Sequence, residues 1–246
     1  MSWKKRTIFK RCVSILLIIA LIPIADFSGV VAYAETADNG LLKNITLKAE
    51  VNAQGNVELQ WNKVTGASKY VINKNGDELT SIDSSDIESN NSKDLLYIDK
   101  ETEANKEYTY IVVAFNTNDD KLGTCDAVNV KMPEELVISG NYTLDRNMTV
   151  YNLKQTWGTL NLNGYTLNIC KEYSHNGGIL SVGEGIINCY GKYTSASNAE
   201  IVMDNANGKI TFYEDITWGS SNGSRIENGV IEAKKDVSYT DGGRFV

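Results

Sequence analysis

From Leu41 onward the chain alternates. NITLKAEV, NVELQWNKV, DLLYIDKET and KEYTYIVVAFN each return an apolar residue at every second position, the period of a half-buried strand. TGASKYVINKNGDEL holds a Gly turn, then Tyr70-Val71-Ile72, then Asn75-Gly76, the dipeptide of a two-residue hairpin. GTCDAVNVKM reads as a last strand before Pro133. About seven strands in some ninety residues predict an antiparallel β-sandwich over 41–133.

From Glu134 the alternation continues but acquires a longer period. Asn163-Gly164, Glu184-Gly185, Asn207-Gly208 and Asn228-Gly229 follow one another at 21, 23 and 21 residues. Each is preceded by a short alternating strand (TLNL, ILSV, EIVM, SRIE) and followed by another (YTLNIC, IINCY, KITFY, VIEAK). Each unit closes on Tyr173, Tyr193, Ile216 or Val237, after a charged pair or a Gly-Lys step. A degenerate earlier unit lies in VISGNYTLDRNMTVYNL. A period near 20 residues with two or three short strands predicts a short parallel β-solenoid over 134–246, with rungs of about 21 residues. One rung cannot bury its apolar face alone. Leu160, Leu162, Leu167 and Ile169 are therefore expected to stack on counterparts above and below. Leucine-rich repeats share the period, but their L-x-x-L-x-L frame is missing; a meandering sandwich with coincidental spacing is the other reading. The whole chain is read as all-β.

VELQWNKVTGASKYVINKNG and EYTYIVVAFN resemble a fibronectin type III domain of the bacterial extracellular kind. The resemblance implies that Trp61 packs in the core. It also implies that Gly66, Ala67, Tyr70 and Ile72 lead into the opposite sheet, and that Tyr108 is the tyrosine of the corner. The polar stretch TSIDSSDIESNNSKD departs from that pattern and affects the edge strands. Alternation puts Trp61 on the parity of Val57 and Leu59, as core rather than ligand platform. No Arg-Gly-Asp triplet occurs, so an adhesive use through that motif is not carried over. GTLNLNGYTLNI, NGKITF and ENGVIEAKKDV resemble rungs of large secreted surface proteins of low-GC Gram-positive bacteria. That resemblance implies an extracellular structural or adhesive scaffold and no catalytic residues.

The first 34 residues have another character. Five cationic residues (Lys4, Lys5, Arg6, Lys10, Arg11) precede an apolar run from Val13 to Ile24, and Ala32-Tyr33-Ala34 ends the segment. Those are the three parts of a secretory signal peptide. The run is about 12 residues, short of the roughly 20 that span a bilayer, so cleavage before Glu35 is expected over a retained anchor, with no stable membrane insertion afterwards. Set against Asp26, the leader carries +4, and its removal takes the chain from −7 to about −11. Such an acidic surface repels phosphate backbones and argues against nucleic acid as a partner. Cys125, Cys170 and Cys189 remain. A Cys170–Cys189 bridge is open, since strand register decides whether their Cβ atoms face each other.

The chemistry-bearing residues are few. The only histidine, His175, falls in YSHNGG and reads as a solvated turn residue. DNANGK at 204–209 lacks the alternating carboxylates and distant Glu of a calcium loop, and reads as a turn. No HExxH, CxxC or phosphate-binding loop occurs. No catalytic residue, metal or cofactor is therefore assigned. Trp157, Trp218 and Tyr151 fall near rung corners, where exposed rings would stack on sugars; rung packing is the competing role for each. The expected function is a non-catalytic secreted or cell-surface structural or adhesion module. Its partners would be cell-wall or host glycan, or another surface protein. The alternatives are a carbohydrate-binding module of a glycan-degrading system, or a fragment of a β-helix polysaccharide lyase or hydrolase. SYTDGGRFV resembles the opening strand of another rung, which predicts continuation into a longer protein or an open end that self-associates.

Overall fold

The computed structural model describes residues 44–90, 94–219 and 224–240. The expected leader 1–34, the expected cleavage before Glu35 and residues 241–246 lie outside the described residues. Gly40–Val246 is one compact unit, and it contains two hydrophobic cores.

The first core lies between two antiparallel sheets. Its strands are β1 (Leu47–Val51), β2 (Val57–Asn62), β3 (Lys69–Lys74), β4 (Asp77–Asp83), β5 (Glu88–Asn90), β6 (Asp94–Asp99), β7 (Glu107–Phe115), β8 (Lys121–Thr124) and β9 (Val128–Lys131). One sheet runs β1-β2-β6-β5; the other runs β4-β3-β7-β8, with β9 also on β7. Alternation decides which residues face in. Val57, Leu59 and Trp61 on β2, and Tyr108, Tyr110, Val112 and Ala114 on β7, are buried while the residues between them are not. Asn75 (φ 56°) and Gly76 (φ 94°) close the β3–β4 hairpin as expected. There are more strands than the pattern predicts. The polar stretch after Leu79 supplies the end of β4 and the whole of β5, and GTCDAVNVKM divides around Cys125 into β8 and β9.

The second core is the inside of a parallel β-solenoid. After a lead strand β10 (Leu136–Ser139), coil one comprises β11 (Tyr142–Thr143) and the long, bent β12 (Met148–Trp157). Coil two comprises β13 (Thr159–Asn161) and β14 (Thr166–His175). Coil three is β15 (Gly178–Ser181), β16 (Ile186–Cys189) and β17 (Lys192–Ser195). Coil four is β18 (Ala199–Met203), β19 (Lys209–Phe212) and β20 (Ile216–Trp218). Coil five is β21 (Arg225–Ile226), β22 (Val230–Ala233) and β23 (Val237–Tyr239). Each strand pairs in parallel with its counterpart one coil on, so the coil has three sides.

Register turns the repeat into columns of like side chains. Met148, Leu167, Ile187, Ile210 and Ile231 stack on one side. Leu153, Tyr173, Tyr193, Ile216 and Val237 stack on another. The unit-closing residues read from the sequence are therefore true equivalents. The Gly marker is not. Thr166 pairs with Ile186, so Gly164 is level with Glu184 and stands one position before Gly185. The first interval is 20 residues by ladder register, from Leu167 to Ile187.

Ser238 and Tyr239 belong to β23, which closes the third side of coil five rather than opening a new one. The thiols of Cys125, Cys170 and Cys189 are free and buried. Cys189 belongs to the solenoid core, whereas Cys170 lies against Gly55 of the first module. The two thiols serve different interfaces, and no bridge joins them.

Candidate functional site

The corner between the third side of one coil and the first side of the next sets the conditions for an exposed ring. Here the chain must reverse within a few residues beneath the next coil. Gly158 and Gly178 turn it with φ of 79° and 84°, a conformation that strains any residue bearing a Cβ. A Cβ on Gly158 would stand 2.2 Å from the Gly140 carbonyl oxygen, and one on Gly178 would stand 2.4 Å from that of Gly158. The corner is thus a column of glycines packed backbone to backbone.

Trp157 precedes Gly158 and points outward, 61% exposed. Its register partner one coil before is Ser139, and its indole reaches over Gly140, 3.9 Å from where a Cβ would be. One coil later the equivalent position is Gly177, which has no side chain to cover the ring. Asn198 lies across Gly177, its Nδ2 2.8 Å from a Cβ placed there. Asn141 accepts a hydrogen bond from the Thr159 N–H at 3.0 Å, and Asn176 is exposed beside Gly177. The corner therefore combines a wide aromatic plane with side-chain amides.

The other two proposed stacking rings are not available. Trp218 is 4% exposed. Strand parity on β20 turns it inward with Ile216, and its ring lies 5.7 Å from that of Tyr193. Tyr151 stands at a corner but is covered by the first module. Its hydroxyl donates to the Thr102 carbonyl, and its ring belongs to the sandwich core. Around it Thr102 Oγ1 donates to the Gly55 carbonyl at 2.7 Å, and Lys171 bonds Asn56 Oδ1. The Lys171 ammonium also lies 5.8 Å from the centre of the Tyr151 ring. Burial lowers the Lys171 pKa and pushes the Cys170 thiol up to about 11. A Cβ on Gly55 would stand 2.8 Å from the Cys170 Cβ, so the β1–β2 turn sits directly on the solenoid wall.

His175 is not a solvated turn residue. It ends β14 facing inward and is completely buried. Its ring stacks on Tyr173 at 5.4 Å, Nδ1 is 3.2 Å from the Tyr193 hydroxyl, and Nε2 is 3.1 Å from the Gly178 carbonyl. Gln155 holds the matching place in the coil before, where it accepts from the Tyr173 hydroxyl at 2.8 Å. Burial depresses the His175 pKa to about 4. Enclosed in this way, the imidazole has no route to act as a base on an external substrate. Residues 204–209 form a turn in which the Asn207 N–H donates to Asn205 Oδ1 at 2.9 Å. Among the described residues, no group of three or more His, Cys, Asp or Glu side chains is placed to hold a metal ion. Also among these residues, no helix is long and apolar enough to cross a membrane.

The amide rim was missed in the sequence. Asn141, Asn176 and Asn198 follow no fixed interval, because corner lengths vary from coil to coil. The usable signal was Trp-Gly at 157–158 followed one coil later by Gly-Gly at 177–178, a bulky residue next to places where bulk is excluded.

No protein-family model matches the chain, and no curated protein sequence matches it. Among solved structures it is similar to pectate lyase PelI from Erwinia chrysanthemi in complex with tetragalacturonic acid. That match has 15% identity over 81% of this chain and 83% of the lyase, with a TM-score of 0.29. Pectate lyase Pel3 from Pectobacterium carotovorum is similar at 11% identity over 77% of this chain and 79% of that one, with a TM-score of 0.29.

Proposed function

We propose that this chain is a secreted, non-catalytic surface module in which a fibronectin type III-like sandwich and a β-solenoid form one stiff adhesive scaffold that engages glycan. The observation that carries this reading is the junction. Tyr151, Cys170 and Lys171 of the solenoid are seated against Gly55, Asn56 and Thr102 of the sandwich, with side-chain hydrogen bonds and apolar burial together. Loosely tethered domains move relative to one another unless such an interface holds them. The fibronectin-like assignment is supported by Tyr108, whose hydroxyl accepts from the Glu103 N–H at 3.0 Å, the bond of a tyrosine corner. It is also supported by Trp61, edge-on to Tyr70 at 5.7 Å in the core.

Gly55→Leu tests the scaffold. Gly55 has φ of 67°, so a leucine there is strained and also collides with Cys170. The variant is expected to open the junction, widening the interdomain distances in small-angle scattering and making Cys170 reactive towards a thiol reagent. Unchanged scattering and an equally protected thiol would remove the junction as the basis of stiffness. Polygalacturonate and other polysaccharides incubated with the full chain provide the second arm. Release of unsaturated uronides or new reducing ends would replace the scaffold by a lyase or hydrolase.

A further inference from the structure

We infer that the Trp157 corner is a binding platform for an uncharged polysaccharide. This deepens the glycan-engaging scaffold proposed above by naming the site and the class of sugar. The first consideration is size. A tryptophan side chain offers about 150–250 Å² of contact, whereas a stable protein partner needs roughly 1,000 Å² or more. The exposed large hydrophobics of the lead strand and first coil, Val137, Tyr142 and Trp157, are too few to build such an interface. They are ample for one or two sugar rings.

The second consideration is access to the ring face. Along the solenoid axis Trp157 has Ser139 on one side and Gly177 on the other. Gly158, Gly177 and Gly178 are imposed by the backbone, since a Cβ on any of them would strike a carbonyl of the preceding coil. The fold therefore keeps bulk away from the indole plane. A pyranose presents its C–H face to that plane, where the π-cloud is negative. Its equatorial hydroxyls need donors and acceptors beside the ring. The amides of Asn141, Asn176 and Asn198 provide both and bear no charge. Coils are about 4.8 Å apart, close to the length one pyranose adds to an extended glycan, so a chain lying along the axis meets Trp157 and then Asn198.

Affinity gels cast with soluble β-glucan, mannan or polygalacturonate test this on the full chain. Retardation by a neutral polymer is expected. It should weaken at least tenfold in Trp157→Ala and persist in Trp157→Tyr. Because Trp157 is exposed, the alanine variant keeps its fold, which circular dichroism verifies. Trp61 and Trp218 are buried, so in protein cleaved before Glu35, which lacks Trp3, a ligand-dependent shift in tryptophan emission should vanish in Trp157→Ala. The inference is overturned by no retardation in either neutral polymer, by equal retardation of Trp157→Ala, or by binding confined to polygalacturonate. Those outcomes leave the junction and the stiff scaffold untouched, while an opened junction in the wild type would leave this site standing.

Discussion

Acid should unlock the solenoid at one residue. His175 lies between Tyr173 and Tyr193, with Gln155 in the coil before and Ser195 in the coil after. Neutral imidazole suits this setting, because one ring nitrogen meets a hydroxyl that can donate and the other meets a carbonyl that accepts. Protonation would bury a cation with no anion among these partners. The folded pKa is about 4, against 6.5 for an unperturbed histidine. A depressed pKa means that the unfolded chain takes up the proton first. The stability is complete above about pH 6.5 and falls as the pH drops towards 4, at up to about 1.4 kcal/mol per pH unit. About 2 kcal/mol should be lost by pH ~5, and roughly 3 kcal/mol in all. Carboxylates titrate in the same range, so the assay is a difference. Urea unfolding of wild type and His175→Gln is compared between about pH 7.5 and pH 4.5. Gln155 already fills this column and bonds a tyrosine hydroxyl, so glutamine is the closest uncharged replacement. The wild type should lose about 2.5 kcal/mol more than the variant. His175 is the only histidine, so its imidazole resonance can be titrated directly. A value near 6.5 in the folded chain, or parallel pH profiles for the two proteins, would refute the reasoning.

Two substitutions test the packing elsewhere. Gly158→Ala places a Cβ 2.2 Å from the Gly140 oxygen at a φ of 79°, and should cost about 2–4 kcal/mol in chemical denaturation; a loss below about 0.5 kcal/mol would mean that the corner relaxes freely. In the sandwich, Asp99 is buried and accepts from the Tyr110 hydroxyl at 2.6 Å and the Glu101 N–H at 2.9 Å, with the Lys74 ammonium 2.7 Å away. Lys74→Met should cost about 3 kcal/mol by leaving that carboxyl without its cation, and equal stability of the two proteins in urea would show that the hydrogen bonds alone suffice.

Much of the architecture was legible because stacking is repetitive. A parallel coil places each residue over its counterpart, so every coil makes the same demand on its inward positions, and the period appears as recurring Leu, Ile and Tyr. Tyr173, Tyr193, Ile216 and Val237 were read correctly as equivalents for that reason. Trp61 and the Tyr108-to-Ala114 parity were legible because a strand alternates strictly. Corners follow no such rule. Gly164 and Gly185 look alike in the sequence yet stand one place apart, because a corner can absorb or release a residue without disturbing the ladders on either side. The same freedom decides facing. His175 looked like part of a turn, but β14 continues to it and carries it inward. Trp218 looked like a corner ring, but the parity of β20 buries it. Tyr151 and Cys170 are hidden for a different reason. The surface that covers them comes from Gly55 and Thr102, far away in the sequence. Local pattern determined the coils, the sheets and their cores. Only the tertiary structure decided which ring at a corner meets solvent, because that depends on the backbone of the neighbouring coil and on the docking of a separate module.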